Sequence, residues 1–406
     1  MEEEECRRVF PGLLLDVDDM MRRGEFVFEK GDGGYMGLVQ GRVWGGELYI
    51  LTTSPTRTPQ LHHQRLATLS QIHRALLTSP SPLPNTHFAF VTNDVPKNDS
   101  WAFAKVNKQS NQNVWLMPHF AFWGWTGAAG RELGTMDEAL SRIAKVEKGM
   151  RSWEEKVDKL VWRGTPWFNP LAYPTLRQDL LRVTRGMPWA DVQALKPSAG
   201  GRGGYSNALP IEEFCRYKYV VYTEGVTYSG RLAYHQACKS VLIMAPLTYL
   251  TYTTRAMRPI WVEDLVSGVG GGKQVGIGDR VLFDETKTMK TGKKAWGQQS
   301  TPILKTLGRE RWKEANAIYV SPDFSNLEDT VAFLEGHPEV AERIARNLRD
   351  AVVGGGVLSR AAETCYWRGL IRGWARVARE GESWGKERGV RFEEWVLGQV
   401  GKETGR

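Results

Sequence analysis

The sequence has few of the residues from which metal centres are usually built. Its 406 residues include four cysteines and seven histidines, and no Cys/His cluster has the spacing of metal ligands. His62 and His63 are adjacent, so they cannot both face one ion from a regular helix. Asp16, Asp18 and Asp19 imitate a carboxylate metal site, but they lie near the N-terminus and predict a solvated helix start. A metal centre is therefore not expected.

Long apolar runs are also lacking. No stretch reaches the length of a membrane span, and residues 1–10 (MEEEECRRVF) are acidic where a secretory signal is basic and then apolar. Taken by itself, the sequence predicts a cytoplasmic protein without a membrane span.

Charge of one sign is not concentrated along the chain. The formal net charge is +8, but 54 Lys and Arg residues are interleaved with 46 Asp and Glu residues. No nucleic-acid-binding module is recognisable, so a nucleic-acid partner is not expected. The modest positive charge favours an anionic small molecule instead.

Two glycine-rich stretches resemble phosphate-binding loops without meeting their requirements. They are residues 200–204 (GGRGG) and 268–278 (GVGGGKQVGIG). In the second, serine takes the place of the first P-loop glycine, and Gln274 follows Lys273 where Ser or Thr should bind magnesium. Both stretches are predicted to be loops, and residues 269–301 are predicted to be a surface insertion that can serve as a lid.

Strand and helix signals alternate along the chain, which predicts an α/β protein. The predicted strands cover residues 47–53, 87–93, 113–117, 159–163, 190–195, 217–223, 240–245 and 317–321. The predicted helices cover residues 59–77, 136–159, 176–183, 338–352 and 359–379. Ser325 and Glu328 predict a capping box that opens a further helix.

Residues 217–244 (YKYVVYTEGVTYSGRLAYHQACKSVLIM) combine a strand, a turn, a helix and a second strand. The predicted helix begins beside Arg231, so this guanidinium and the free N–H groups of the first turn should lie where α/β proteins bind ligands. That arrangement suits a diphosphate. The alternative is a buried βαβ unit in which Arg231 pairs with Glu224.

The same segment resembles the donor-site segment of glycosyltransferase family 90. This family includes fungal capsule-associated (CAP10 domain) xylosyltransferase-like proteins and animal protein O-glucosyltransferases of the Rumi type. Further motifs of the family follow in its order: FAFVTNDVP at 88–96, PHFAFWGW at 118–125, LVWRG at 160–164 with Arg177 downstream, IYVSPDFSNL at 318–327, and Cys365 with Tyr366. The agreement in order covers most of the chain.

The resemblance implies a GT-B-like fold, in which two Rossmann-like domains face a cleft. Residues 1–150 would form the acceptor-side domain and residues 151–340 the domain that binds the UDP-sugar. Residues 341–406 would form helices that cross back onto the first domain. A cleft between two such domains is where the two substrates would meet.

The resemblance also implies an inverting, metal-independent transferase without a cofactor. It would move xylose or glucose from UDP-xylose or UDP-glucose to a hydroxyl of a glycan or protein acceptor. One alternative is a non-catalytic member of the family that binds UDP or glycans. A third possibility is a cytosolic nucleotide-binding protein unrelated to glycans.

Asp94 matches the catalytic aspartate of the family and is the predicted general base, because an acceptor hydroxyl is too weakly acidic to attack unaided. From the residues alone, the Asn-Asp-x-Pro pattern equally predicts a turn aspartate. Asp99 is the rival base. Asn93 stands before Asp94 where relatives often have arginine.

The resemblance assigns the donor-binding contacts to residues on both sides of the second half's first helix. Thr165 stands where relatives often have serine, and the gap from Gly164 to Arg177 is longer than in the animal enzymes. The implied donor-binding residues are Arg163, Gly164, Thr165, Arg177, Glu224, Val226, Ser229, Gly230 and Arg231.

The redox state of the four cysteines indicates the cellular compartment of the protein. Cys215 and Cys238 flank the donor segment, and the resemblance implies a disulfide between them. Cys6 and Cys365 remain as a possible second pair. The alternative is four buried thiols in a cytosolic protein. Because the family works mostly in the secretory lumen, the resemblance implies the Golgi or the ER, whereas a complete sequence without a signal implies the cytoplasm.

Overall fold

The computed structural model describes residues 1–31, 33–55, 58–126, 133–198, 204–270, 302–385 and 387–403. Most of both glycine-rich stretches, and of the predicted insertion at 269–301, lies outside the described residues. No helix within the described ranges is both long and apolar enough to cross a bilayer.

The elements alternate between helix and strand, as expected for an α/β protein. The helices are α1 (Glu3–Val9), α2 (Leu15–Met21), α3 (Pro59–Leu77), α4 (Met136–Lys148), α5 (Leu176–Val183), α6 (Leu232–His235), α7 (Val262–Val269), α8 (Leu327–Gly336), α9 (Pro338–Arg349), α10 (Arg360–Val377) and α11 (Phe392–Glu403). The strands are β1 (Phe26–Phe28), β2 (Leu38–Trp44), β3 (Glu47–Thr53), β4 (Thr86–Val91), β5 (Ser100–Ala102), β6 (Ala104–Val106), β7 (Val114–Leu116), β8 (Val157–Gly164), β9 (Ala190–Ala194), β10 (Tyr217–Tyr222), β11 (Val241–Met244), β12 (Tyr249–Thr251), β13 (Pro259–Trp261), β14 (Ala317–Tyr319), β15 (Ala378–Glu380) and β16 (Val390–Arg391).

Two six-stranded sheets form the framework. The first has the order β16-β3-β2-β4-β5-β7 and mixes antiparallel pairs with the parallel pairs β4·β5 and β5·β7. The second has the order β13-β14-β11-β10-β8-β9, and all of its pairs are parallel. Its central strands β10 and β11 are apolar because helices or other layers cover both of their faces. The mixed α/β class predicted from the sequence is confirmed.

Contacts between the two halves of the chain are extensive. β6 of the first half pairs antiparallel with β12 of the second half, with Lys105 opposite Leu250. α10 packs on α2 and α3 beside the first sheet, and β15 and β16 pair with β1 and β3. The C-terminal segment therefore returns to the first half.

Helix α4 corrects the prediction of a helix over residues 136–159. It ends at Lys148, because Gly149 and a series of turns follow it and β8 begins at Val157. Its start is fixed by a capping box between Thr135 and Glu138, whose side chains bond to each other's backbone N–H groups.

The predicted capping box of Ser325 and Glu328 is wrong. Asn326 precedes α8, and no side chain caps that helix. The Asn326 amide is used elsewhere: its oxygen accepts the N–H of Ser321, and its nitrogen donates to Glu263.

The predicted solvated helix start at Asp16 is also wrong. Asp16 is buried, with an oxygen 2.5 Å from Lys105 Nζ and 3.5 Å from Arg255. Asp18 pairs with Arg7. The carboxylate of Asp16 is inside because α2 packs against β7 and α10, and its charge is balanced by residues from both halves of the chain.

Candidate active site

The connections of the second sheet diverge at one point. From β8 the chain adds β9 on one side, and from β10 it adds β11, β14 and β13 on the other. The carboxyl ends of β8 and β10 are therefore neighbours whose following loops leave in opposite directions. Such a switch point opens a crevice, and open α/β sheets bind their ligands there.

A cavity of about 660 Å³ lies at this switch point. Residues from both halves of the chain form its wall. The predicted site residues among them are Asp94, Arg163, Thr165, Arg177, Ser229, Gly230 and Arg231. Among the described residues, the wall does not include the other three predicted donor residues, Gly164, Glu224 and Val226.

Two arginines of the wall are held by backbone carbonyls. Arg177 donates from Nε to the carbonyl of Glu224 (2.9 Å) and from Nη1 to the carbonyl of Thr165 (2.8 Å). Arg231 donates from Nη1 to the carbonyl of Arg163. Within the described ranges, no Asp or Glu side chain forms an ion pair with Arg177 or Arg231.

The charges of these two arginines favour an anionic ligand. Burial lowers the pKa of Arg231 to about 10, and burial together with the charge of Arg231 lowers the pKa of Arg177 to about 10 as well. Both guanidinium groups stay protonated at neutral pH. Two neighbouring cations that are partly desolvated are costly unless an anion joins them, so a diphosphate or a similar group fits this wall.

Arg163 differs, because its charge is already neutralised. Its Nη2 donates to both carboxylate oxygens of Asp191 (2.7 and 2.9 Å), and Tyr217 also donates its hydroxyl to Asp191 (2.6 Å). The guanidinium therefore holds β8 to β9, while its backbone carbonyl holds Arg231.

The helix predicted to begin beside Arg231 is shorter than expected. α6 covers Leu232–His235, and the N–H group of Ala237 bonds three residues back to Tyr234 because the chain must turn into β11 directly afterwards. A helix of one turn offers little dipole. The positive charge of this wall therefore comes from arginine side chains.

Ser229 and Gly230 line the cavity wall in the turn after β10. The N–H of Ser229 donates to the hydroxyl of Tyr222 (2.8 Å), which fixes the turn after β10. A Cβ atom at position 230 would lie 2.7 Å from the ring of Trp125 and 3.1 Å from His119 Nε2. Glycine is thus required at position 230, where the donor segment touches the aromatic motif at 118–125.

Asp94 lies three residues beyond the end of the fully buried strand β4. Its carbonyl accepts the hydroxyl of Thr227 (2.9 Å), a residue 133 positions later in the chain. The carboxylate is exposed to the cavity, but the surrounding walls displace water and raise the pKa of Asp94 above its ordinary value. The pKa of Tyr228 is raised by burial and then by the charge of Asp94, so the two groups interact.

The rival aspartate has a structural role. Asp99 accepts a hydrogen bond from the Asn113 amide (2.9 Å) and donates its N–H to the Asn113 carbonyl (2.8 Å). Its φ is 54°, as in a left-handed turn, and it does not line the cavity. Asp94 is therefore the better-placed carboxylate.

Glu224 neither pairs with Arg231 nor reaches the cavity. Its buried carboxylate accepts the N–H (3.1 Å) and hydroxyl (2.6 Å) of Thr248 and the N–H of Tyr249 (2.8 Å). Burial raises the pKa of Glu224 to about 7, although those hydrogen bonds oppose the rise. Since Tyr249 begins β12, Glu224 connects the end of β10 to the strand pair that joins the two halves.

The other two predicted donor residues off the cavity wall have different surroundings. Gly164 ends β8, and a Cβ there would lie 2.3 Å from the ring of Trp162. Val226 is 42% exposed. Gly164 is thus explained by packing within the second sheet.

Several residues of the wall were not singled out from the sequence. His119 accepts the N–H of Ala121 at Nδ1 (3.2 Å), which leaves its proton on Nε2, and burial lowers its pKa to about 3. His119, Trp125 and Tyr228 line the cavity as one group, with the His119 ring 5.2 Å from the Trp125 ring and 5.8 Å from the Tyr228 ring. The sequence contains the aromatic motif at 118–125, but only the fold shows that this motif faces Ser229 and Gly230.

The cavity wall also contains apolar side chains. They include Leu195, Leu209, Ile211 and Phe214, and the wall further contains Arg142 and Glu212, which pair at 3.4 Å. These residues come mostly from the connection between β9 and β10, which carries no periodic pattern and so gave no signal in the sequence.

The structure pairs the cysteines as Cys215–Cys238 and Cys6–Cys365. The first bridge connects the segment before β10 to the end of the α6 region, directly behind the donor segment. The second ties α1 to α10. These are the two pairs named in the sequence analysis.

Among the described residues, no group of three or more His, Cys, Asp or Glu side chains is placed so that it could hold a metal ion. The neighbouring carboxylates Asp16, Asp18 and Asp19 are engaged by Lys105, Arg7 and Arg255 instead.

Comparison with known families gives one match, and no curated protein matches the chain. The model of the family described as "Glycosyl transferase family 90" matches residues 48–262, which is more than half of the 406 residues. The matched range contains Asp94, Arg177 and Arg231, together with both β8 and β10.

Proposed function

The chain belongs to glycosyl transferase family 90, and from that membership we propose that it transfers xylose or glucose from UDP-xylose or UDP-glucose to a hydroxyl group of a glycan or protein. The observation that carries the proposal is a pair of arginines, the buried Arg177 and the partly buried Arg231, which line a cavity without a carboxylate partner among the described residues. A nucleoside diphosphate supplies the missing negative charge.

A GT-B-like organisation is part of this proposal. Residues 1–150 would serve the acceptor and residues 151–340 the UDP-sugar, with residues 341–406 returning to the first half. The all-parallel second sheet, its switch point at β8 and β10, and the return of α10 to α3 support this division.

On the donor side, Arg231 and Arg177 would hold the diphosphate as it leaves. Each charge-assisted hydrogen bond of this kind contributes about 1.5–3 kcal/mol. Thr165, Ser229 and Gly230 complete the same wall. Because the arginines carry the charge, the proposed reaction needs neither a metal nor another cofactor.

On the acceptor side, Asp94 would act as the general base. The acceptor hydroxyl oxygen attacks the anomeric carbon, the bond from that carbon to the phosphate oxygen breaks, and UDP leaves with the electron pair. The hydroxyl proton passes to the Asp94 carboxylate. A single displacement on an α-linked UDP-sugar gives a β-glycoside.

The test is release of UDP from UDP-xylose and from UDP-glucose, with EDTA present, by wild type and by Asp94→Asn. We expect EDTA-resistant release in wild type and a decrease of about 10²–10⁴-fold in Asp94→Asn. The matched control is Asp99→Asn, which makes the same change five residues later in a turn where asparagine fits the left-handed backbone.

Each possible result bears on one part of the proposal. Full activity of Asp94→Asn would remove this residue as the base, and loss of release with EDTA would contradict the metal-free mechanism. Binding of UDP without release from either donor would favour the non-catalytic alternative. Absence of UDP binding by wild type, or a UDP affinity that is unchanged in Arg231→Ala, would remove the donor site itself.

The disulfide pairing supports a place in the secretory pathway, in the Golgi or the ER, because both bridges need an oxidising compartment. Mass spectrometry of the non-reduced protein tests this. Free thiols at Cys215 and Cys238 in the native protein would contradict it.

A further inference from the structure

The loop that joins β8 to α5 exposes an unusual amount of apolar surface. Trp167, Phe168 and Leu171 are 75%, 53% and 74% exposed. They lie within five residues of one another in a single loop, called here the aromatic loop. Exposed apolar surfaces of this kind mark binding sites more often than isolated exposed side chains do.

The aromatic loop is held in place by its own asparagine. Asn169 donates from its amide to the carbonyl of Pro166 (3.1 Å) and to the side chain of Gln178 (2.9 Å). Its amide oxygen accepts the N–H of Arg177 (2.9 Å). The exposed rings are thus presented by a braced loop, which lowers the entropy lost when a ligand binds.

The aromatic loop begins and ends at the cavity. Thr165, which precedes it, and Arg177, which follows it, both line the wall, and the Arg177 guanidinium donates to the Thr165 carbonyl (2.8 Å). A chain-like acceptor whose reacting end lies in the cavity has to leave past residues of its wall, and this loop joins two of them.

The charge of the aromatic loop indicates the chemistry of its ligand. Residues 164–176 contain no Asp, Glu, Lys, Arg or His. A loop that inserts into an anionic membrane surface is usually accompanied by Lys or Arg, and an anionic polymer needs such residues too. An uncharged aromatic surface instead suits the C–H face of a neutral pyranose, which packs flat against an indole or phenyl ring.

We propose that Trp167 and Phe168 form a subsite that binds a neutral sugar ring of the acceptor, so that the acceptor is a glycan chain rather than a single residue or a folded protein. This proposal rests on the glycosyltransferase function proposed above and specifies its acceptor. Trp167 and Phe168 act in positioning and specificity, since neither lies in the cavity wall that holds Asp94 and Arg231.

The first experiment measures binding of the full chain to an array of neutral and acidic oligosaccharides. We expect wild type to bind at least one neutral glycan of two or more rings, and the double variant Trp167→Ala/Phe168→Ala to bind it at least tenfold more weakly. Trp167→Tyr retains a flat ring and should recover most of the affinity. Thermal unfolding of each variant checks that the fold is intact.

The matched control is Trp44→Ala. Trp44 is 51% exposed, and it lies at the end of β2 that pairs with the start of β4, opposite the end of β4 that leads to Asp94. This variant should bind the glycan like wild type. The second experiment compares KM values for that glycan and for the UDP-sugar, and the double variant should raise the first by at least tenfold and the second by less than twofold.

Other outcomes would overturn the subsite. They are a wild type that binds no neutral glycan, binding that is unchanged in the double variant, or binding lost equally in Trp44→Ala. If wild type co-sediments with phosphatidylcholine vesicles and the double variant does not, the aromatic loop binds a membrane instead. If wild type self-associates and the double variant does not, the loop binds a second copy of the chain. Failure of the glycosyltransferase proposal is distinct, because it appears as absent UDP release while glycan binding still reports on the loop.

Discussion

At the scale of single residues, the negative and the positive groups of the candidate site lie on different parts of the fold. Asp94 is a carboxylate on the side of the first sheet, and Arg177 and Arg231 are cations at the end of the second sheet. Each group has a pKa displaced by burial, in the direction that disfavours its charged form. The reaction proposed for them uses both charges, since a base must accept a proton while a diphosphate must be held.

The raised pKa of Asp94 predicts the pH dependence of the transfer reaction. Below this pKa the carboxyl holds its proton and cannot accept one, so kcat/KM should fall as the pH decreases through it. The acid limb should therefore have an apparent pKa above about 4, the ordinary value of an aspartate. UDP release measured from pH 3.5 to 8 tests this, with UDP affinity at each pH as the control. A rate that is flat down to pH 4 would contradict it.

Glu224 predicts a pH dependence of stability. Its folded pKa of about 7 lies above the ordinary value of 4.5, so its contribution to the free energy of unfolding is fully present below pH 4.5 and is lost as the pH rises through 7. The loss is on the order of 3 kcal/mol. Urea denaturation at pH 5 and pH 8 should show a smaller difference between the two pH values in Glu224→Gln than in wild type.

Glu363 supplies the comparison for that measurement. Burial also raises its pKa to about 7, with Arg74 as its partner, so wild type should keep part of the dependence after Glu224 is changed. An identical pH dependence in wild type and Glu224→Gln would mean that the Glu224 carboxyl titrates normally.

At the scale of elements, the sequence predicted the central strands of both sheets, because β4, β10 and β11 contain the apolar runs 88–91, 219–222 and 241–244. It did not predict β6 and β12. These strands have three residues each, and their partners are more than a hundred positions apart in the chain, so no local pattern marks them. Strand pairing is decided there by the tertiary contact.

For the candidate site, too, the sequence predicted some features and not others. Asp94, Arg177 and Arg231 were named from motifs and all lie on the cavity wall. Glu224 was also named from a motif, but its carboxylate bonds to Thr248, which no sequence spacing indicates. Residue types and their order thus identified the charged groups, whereas the partners of each group depend on contacts between distant segments.

The Cys215–Cys238 bridge predicts a stability effect at the level of the donor segment. It closes a loop of 23 residues, for which the chain-entropy model gives about 3 kcal/mol. Reduction, or the double variant Cys215→Ala/Cys238→Ala, should lower the free energy of unfolding by about that amount and weaken UDP binding. Denaturation and UDP titration with and without reductant measure both effects. Cys6→Ala/Cys365→Ala should lower stability and leave UDP affinity within twofold.

At the scale of the whole molecule, one buried cluster extends across both sheets, and a second buried cluster packs on the other face of the second sheet. Val220 and Leu242 of the second sheet belong to the same buried cluster as Phe88 and Trp101 of the first. The β6·β12 pair and the return of α10 add to this connection. The chain is therefore expected to unfold as one cooperative unit.

That connection predicts the response of the whole chain to UDP. Because residues of both halves line the cavity, UDP at a hundred times its dissociation constant should stabilise the entire chain by about 2.7 kcal/mol. Differential scanning calorimetry should show a single transition that UDP moves upward by a few degrees. Adenosine monophosphate at the same concentration is a control for nonspecific anion effects. Two separate transitions, of which UDP moves only one, would contradict the shared core.

The β6·β12 strand pair also limits how far the two halves of the chain can move apart. Backbone hydrogen bonds between the halves would have to break before the cavity could open widely, so any breathing motion must pivot about this ladder. Under the function proposed above, donor and acceptor would therefore have to enter and leave the cavity without a wide separation of the two halves.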